Sequence, residues 1–188
     1  LGRQPFGTSH PAARLRAAGH EVAIVDLAHE RLQPEVFANA GLVAIHLAMH
    51  TATRIAAEAL PRIREYAADA LVATYGLYAP FNATWLHEQG VTACLGGEFE
   101  PALEALVRRV EAGEDIAPFM DLSTGRTQFV VPDRTGMPPL AEHARLRLAD
   151  GQEITMAFTD ATRGCKHLCR HCPVVPVYNG RFRIVPVD

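Results

Sequence analysis

No apolar run in the chain approaches the ~18 residues that a membrane-spanning helix needs, which argues against an α-helical membrane protein. Nothing resembles a secretory leader, and only four cysteines stand among 188 residues. A disulfide-stapled secreted scaffold is therefore not expected. An excess of either charge is missing as well. Lys and Arg number 18 against 21 Asp and Glu, a net charge of −3, which gives no electrostatic case for nucleic acid or an anionic membrane as partner. With 48% apolar and 21% charged residues the composition is otherwise that of an ordinary globular protein. The expectation is a soluble, cytoplasmic chain with reduced thiols.

Against this background, three of the four cysteines crowd into one stretch, Thr162-Arg-Gly-Cys165-Lys-His-Leu-Cys169-Arg-His-Cys172-Pro173. A thiolate is a soft ligand that favours zinc or iron–sulfur clusters over hard cations. Cysteines at i, i+4 and i+7, on a loop opened by Gly164 and closed by Pro173, can converge on one small group. A structural zinc usually takes four protein ligands, and an iron–sulfur cluster is usually held by four cysteines. No fourth cysteine lies nearby, so three thiolates point to a cluster with one iron left open to an outside ligand. His167 and His171 interleave with the thiols, which keeps an alternative in play. Cys165, Cys169, Cys172 and one of these histidines would close a tetrahedral zinc site. The chain would then be a non-catalytic zinc-binding module joined to a Rossmann-like binding domain.

The Cys-x-x-x-Cys-x-x-Cys spacing, with Thr-Arg-Gly directly before it, resembles the cluster loop of the radical S-adenosylmethionine (radical SAM) enzymes. The resemblance implies that Cys165, Cys169 and Cys172 hold a 4Fe–4S cluster whose unique iron binds S-adenosylmethionine. It further implies reductive cleavage of that molecule to a 5′-deoxyadenosyl radical, and an electron donor such as a flavodoxin or ferredoxin. The residue before the last cysteine, commonly aromatic in the family, is His171 here.

The preceding chain alternates helix and strand signals. Ser9 with Pro11 starts a helix that Gly19 closes, and Glu21–Asp26 is an apolar run of strand length. Residues 34–40 form a short helix, and Leu42–Leu47 a second strand. From Thr51, Ile55, Ala59, Ile63 and Tyr66 recur at helical spacing, with Pro61 expected to kink or split the helix. Leu71–Tyr75 and Val91–Leu95 are further strands, separated by a helix over 82–89. A last helix over 98–112 turns Leu103, Leu106 and Val110 inward. Continuous apolar strands between helices imply an open, doubly wound parallel sheet of the Rossmann-like α/β class over residues 1–113. Ligands of such sheets bind at the carboxyl ends of the strands. The loops expected there include Met49, His50 and Thr51, then Gly76, Leu77 and Tyr78, then Gly96, Gly97 and Glu98.

Prolines and glycines break all periodicity over 114–150, a stretch expected to be a linker; His143 and Arg145 read as surface residues. Asp150-Gly151 signals a turn into Glu153–Phe158, expected to be the first strand of a (β/α) barrel over 151–188, with the cysteine loop at its carboxyl end.

A second resemblance sits in the sheet. Gly96-Gly-Glu-Phe-Glu100-Pro-Ala-Leu is similar to the Gly-Glu-x-Glu stretch closing the cobalamin-binding domain that precedes many radical SAM barrels. Gly76-Leu-Tyr sits where that domain carries a Gly-Gly pair. The Asp-x-His-x-x-Gly motif that supplies a histidine to cobalt is absent, as it commonly is in the radical SAM branch. Gly2–Gly7, Tyr75–Pro80 and the run from Cys172 to Gly180 resemble the radical SAM group named for a Cys- or selenocysteine-Ala-Glu-Pro tail. The implied fold is a cobalamin-binding-like domain, a linker and the start of a truncated barrel. The chain is then expected to be the front part of a larger enzyme and inactive by itself, its sheet domain either holding cobalamin as a further cofactor or being a vestigial domain that no longer binds it.

Overall fold

The computed structural model describes residues 3–186. In chain order its elements are α1 (Phe6–Ala17), α2 (Pro34–Phe37), β1 (Leu42–His46), α3 (His50–Tyr66), β2 (Leu71–Tyr75), α4 (Ala83–Glu88), β3 (Ala93–Gly97) and α5 (Glu100–Glu111). Then follow β4 (Phe119–Ser123), β5 (Arg145–Arg147), β6 (Glu153–Thr155), β7 (Thr162–Gly164), α6 (Val174–Tyr178) and β8 (Phe182–Ile184). The chain divides into two compact units. One combines Gln33–Phe129 with Thr162–Asp188, and the other combines Leu1–Leu32 with Val130–Ala161.

The first unit is built on a parallel sheet in the order β1-β2-β3-β4. The α/β expectation holds in this form, and the reason is burial. Val72, Ala73, Thr74, Ala93, Cys94 and Leu95 are wholly buried, as strands covered on both faces must be. The crossovers carry α3, α4 and α5. In α3 the buried residues are Ala56, Leu60 and Ile63, a face rotated from the expected one, and Ile55 is 42% exposed. The helix also runs through Pro61, where a break was expected. A proline in a helix interior costs about 3 kcal/mol or more, but burying Leu60 and Ile63 beside it contributes about 1.5–3 kcal/mol each. In α5, Leu103 and Leu106 face the core.

Two boundaries differ from expectation at the carboxyl side of the sheet. β3 starts and ends two residues later than the apolar run suggests, because β4 pairs with it as far as Gly96↔Leu122 and Gly97↔Ser123. β4 itself lies inside the stretch expected to be a linker. Pro118 and Gly125 frame a five-residue edge strand, and its outward Met120 and Leu122 are exposed.

The second unit has little regular structure. Helix α1 begins at Phe6 and ends in a Schellman turn, in which Gly19 N–H donates to Arg16 and His20 N–H to Leu15. The expected strand over 21–26 is irregular, because side chains take the backbone groups a ladder would use. The Val22 carbonyl accepts from Arg16 at 2.6 Å, and the Asp26 N–H donates to Glu30 at 2.8 Å. Arg16 also pairs with Asp133 at 2.7 Å, Gln4 donates to the Pro138 carbonyl at 2.9 Å, and Phe158 packs edge-on against Phe6.

The strand expected over Glu153–Phe158 is shorter than its apolar run. Among the described residues, β6 is three residues long and pairs antiparallel with β5, closed by the Asp150-Gly151 turn as expected. Both of its strands are exposed. His143, expected at the surface, is 2% exposed, whereas Arg145 is exposed as expected. Among the described residues no helix is long and apolar enough to cross a membrane.

Candidate functional site

The cysteine loop grows out of an antiparallel pair, β7 with β8, registered Thr162↔Ile184, Arg163↔Arg183 and Gly164↔Phe182. Cys165 N–H donates to the Arg181 carbonyl at 3.1 Å, closing the hairpin at the first thiol. Gly164 has φ +73°, and a Cβ there would run into the Arg181 carbonyl oxygen and the Tyr178 ring. Only glycine allows that entry into the loop. At the far end, Cys172 N–H donates to the Cys169 carbonyl at 3.2 Å and Val175 N–H to Cys172 at 3.3 Å, a turn that feeds α6. Cys169 is exposed, Cys165 and Cys172 half-buried, and His167 and His171 exposed. Cys94 stands apart, wholly buried in β3 with the Thr74 hydroxyl 3.3 Å from its sulfur. Burial pushes its thiol up, away from thiolate character.

The hairpin is tied to the carboxyl ends of β3 and β4 by three arginines. Arg163, one residue before Gly164, places Nη1 2.6 Å from Glu100 Oε1 and 3.1 Å from Glu98 Oε2, with all three side chains nearly buried. Its guanidinium also lies over the Phe129 ring at 4.9 Å and the Phe99 ring at 5.8 Å. Arg181 donates to the Thr124 hydroxyl, and Arg183 to the Thr124 carbonyl at 2.8 Å. The Gly-Glu-x-Glu stretch and the Thr-Arg-Gly-Cys stretch, read separately from the sequence, therefore meet at one buried ion cluster.

Two carboxylates share one guanidinium there, and the pKa directions follow. Burial pushes the Glu98 carboxyl above its usual range; Arg163 opposes this and Glu100 adds to it. Burial works against the charge of Arg163, but Glu100 and Glu98 more than offset it, so the guanidinium stays charged. Around the cluster, burial and then the Arg163 charge push His46 down to about 4, leaving a neutral imidazole at pH 7. His46 stacks on Tyr75 at 5.1 Å, and Tyr75 packs tilted against Phe99 at 4.7 Å. Burial first, and then neighbouring carboxylates, raise the phenols of Tyr75 and Tyr178.

The other expected cofactor contacts separate into two kinds. Met49, His50 and Thr51 are exposed where α3 begins, and Leu77 and Tyr78 are half-buried. Gly76, Gly96, Gly97 and Glu98 are buried, and the glycines there serve the chain's own packing. A Cβ at Gly76 would meet the His46 ring and the Leu47 carbonyl at 3.0 Å. At Gly96 it would strike the Pro80 ring, and at Gly97 (φ +69°) the Ser123 carbonyl.

Sequence reasoning missed Arg163, Glu100 and His46 as members of this site. The available signal was the pair of glutamates two residues apart at a strand end, which needs a cation if buried. No protein-family model, curated protein or solved structure matches the chain.

Proposed function

We propose that the chain is the cluster-bearing part of a radical SAM enzyme, with Cys165, Cys169 and Cys172 as the ligands of a 4Fe–4S cluster and S-adenosylmethionine on its open iron. The observation that carries this reading is the donor set. Three thiols sit on one accessible loop, while the fourth cysteine is sealed inside β3. When bound, the cluster supplies the electron that cleaves S-adenosylmethionine to a 5′-deoxyadenosyl radical, with a small donor protein such as a flavodoxin or ferredoxin as its source.

The residues of this chain hold and orient. The Arg163–Glu98–Glu100 cluster pins the strand that delivers Cys165, Gly164 sets the direction of the loop, and the Cys169–Cys172 turn fixes the spacing of the other two thiols. Cobalamin rests on the resemblance of the Gly-Glu-x-Glu and Gly76-Leu-Tyr stretches, and both glutamates are engaged by Arg163.

Anaerobic reconstitution with iron and sulfide tests the ligand set. The expected result is about four irons per chain, as for a 4Fe–4S cluster. Cys165→Ser, Cys169→Ser and Cys172→Ser each lose them, and Cys94→Ser keeps them. Full iron loading in Cys172→Ser would refute the assignment. One zinc per chain with no iron uptake would instead favour the closed Cys/His zinc module.

A further inference from the structure

In the unit that combines residues 1–32 with 130–161, a carboxylate and two imidazoles converge. Asp26, His29 and His143 each bring one ligand atom to within 4.8 Å of the others, the one such group of three or more among the described residues. Asp26 and His29 come from a single turn, in which the N–H groups of His29 and Glu30 donate to the Asp26 carbonyl at 2.9 and 2.8 Å. His143 follows a short 3-10 turn over Leu140–Glu142. The rings of His29 and His143 lie 4.1 Å apart.

The hydrogen bonds decide what the cluster lacks. His143 Nδ1 lies 3.0 Å from the Pro139 carbonyl oxygen. A carbonyl only accepts, so Nδ1 carries the hydrogen and donates. In the neutral ring that leaves Nε2 as a bare lone pair, 3.2 Å from Asp26 Oδ2, in a side chain with no exposure. Two acceptors face each other and need something positive between them. A protonated His143 would satisfy this pair but would leave His29. The Nε2 of His29 is buried and has no hydrogen-bond partner among the described residues, and a second imidazolium beside the first would repel it. A single cation accepting lone pairs from Asp26, His29 and His143 satisfies all three. Asp26 is already oriented, because its Oδ1 accepts from Ala28 N–H at 3.0 Å. The Pro139 carbonyl on Nδ1 is the outer-shell contact that holds a ligating histidine in the right tautomer.

We infer that Asp26, His29 and His143 form a binding site for one divalent transition-metal ion, independent of the cysteine loop. Two imidazoles and a carboxylate suit zinc, iron or nickel rather than calcium or magnesium, and three protein ligands leave coordination positions for water or a small ligand.

The test uses the full chain carrying Cys165→Ser, Cys169→Ser and Cys172→Ser, so that thiolates do not compete. The chain is stripped with a chelator and titrated with cobalt(II), whose visible absorption reports coordination, and then with zinc in competition. One cobalt per chain is expected, with no thiolate charge-transfer band. His29→Ala and Asp26→Asn should each weaken it by more than ~100-fold, the upper end of what losing even an outer-shell partner costs. Asp26→Asn keeps the shape of the turn, and unchanged circular dichroism and unchanged metal-free melting would show that the loss is one of ligation. No cobalt binding in the chain carrying the three substitutions would overturn the inference. Equal affinity in His29→Ala and its parent would overturn it too, leaving a structural Asp26–His143 pair.

Discussion

In the sheet unit the carboxylates of Glu98 and Glu100 meet a guanidinium, whereas in the other unit the carboxylate of Asp26 meets two imidazoles. Both clusters are buried, and burying a charge without a partner is expensive. The sheet unit supplies its cation from its own chain. Arg163 cannot lose its proton under ordinary conditions, so the cation of that cluster is present at every working pH. The Asp26 cluster has only histidines to offer, and in the neutral ring the tautomer set by the Pro139 carbonyl turns a lone pair toward the carboxylate. A cluster closed by arginine serves as a fastener, and one left with converging lone pairs serves as a ligand set. The first lies at the root of the cysteine loop; the second calls for an ion.

The largest expected effect comes from removing the fastener. Arg163→Ala leaves two carboxylates buried without a cation, and breaking a buried ion pair from one side costs about 3–5 kcal/mol. Chemical denaturation of the full chain measures it. Arg163→Lys keeps the charge but not the planar guanidinium over Phe99 and Phe129, and should lose less. A loss under about 1 kcal/mol in Arg163→Ala would mean that the carboxylates do not depend on Arg163, and the contrast between the clusters would fail.

A smaller effect separates the members of the sheet cluster by pH. The Glu98 carboxyl is raised in the folded state above 4.5. Its stabilising contribution is therefore fully present below pH 4.5 and lost as pH rises through the raised value. His46 behaves oppositely. Its imidazole falls from 6.5 to about 4 on folding, so stability is intact above pH 6.5 and eroded as pH drops toward 4. The stability of the native chain relative to Glu98→Gln should thus decline as pH increases from 4.5. Relative to His46→Gln it should decline as pH decreases from 6.5. Paired denaturation series read both slopes, and flat differences would show that neither group titrates as its surroundings dictate.

The smallest effect is a control. Arg145 and Glu153 pair across the β5–β6 hairpin at 3.9 Å with both side chains half exposed. Exposed pairs contribute roughly 0–1 kcal/mol, so Glu153→Ala should leave the melting temperature nearly unchanged. A loss comparable to that of Arg163→Ala would mean that burial does not explain the difference between the charged pairs.

Much of the sheet was legible because burial on both faces writes itself as apolar runs. Leu71–Tyr75 and the Val91 run announce its buried strands, and Leu42–Leu47 its half-buried edge strand. The run at Glu21–Asp26 looks the same, but its backbone groups are taken by Arg16 and Glu30, which no local pattern reveals. β4 was hidden for the converse reason, being a short edge strand with exposed Met120 and Leu122 inside proline- and glycine-rich sequence. The cysteine loop was legible from spacing, since its thiols are neighbours along the chain. The ion clusters were not. Arg163 and Glu98 are 65 residues apart, and His143 and Asp26 are 117 apart, so only the fold brings them together.

The most direct test of the central claim is the EPR spectrum of the anaerobically reconstituted, reduced chain, recorded with and without S-adenosylmethionine. A cluster with three thiolate ligands and an open iron should give a signal whose g-values shift when S-adenosylmethionine is added. Identical spectra with and without the ligand, from a chain fully loaded with iron, would contradict it.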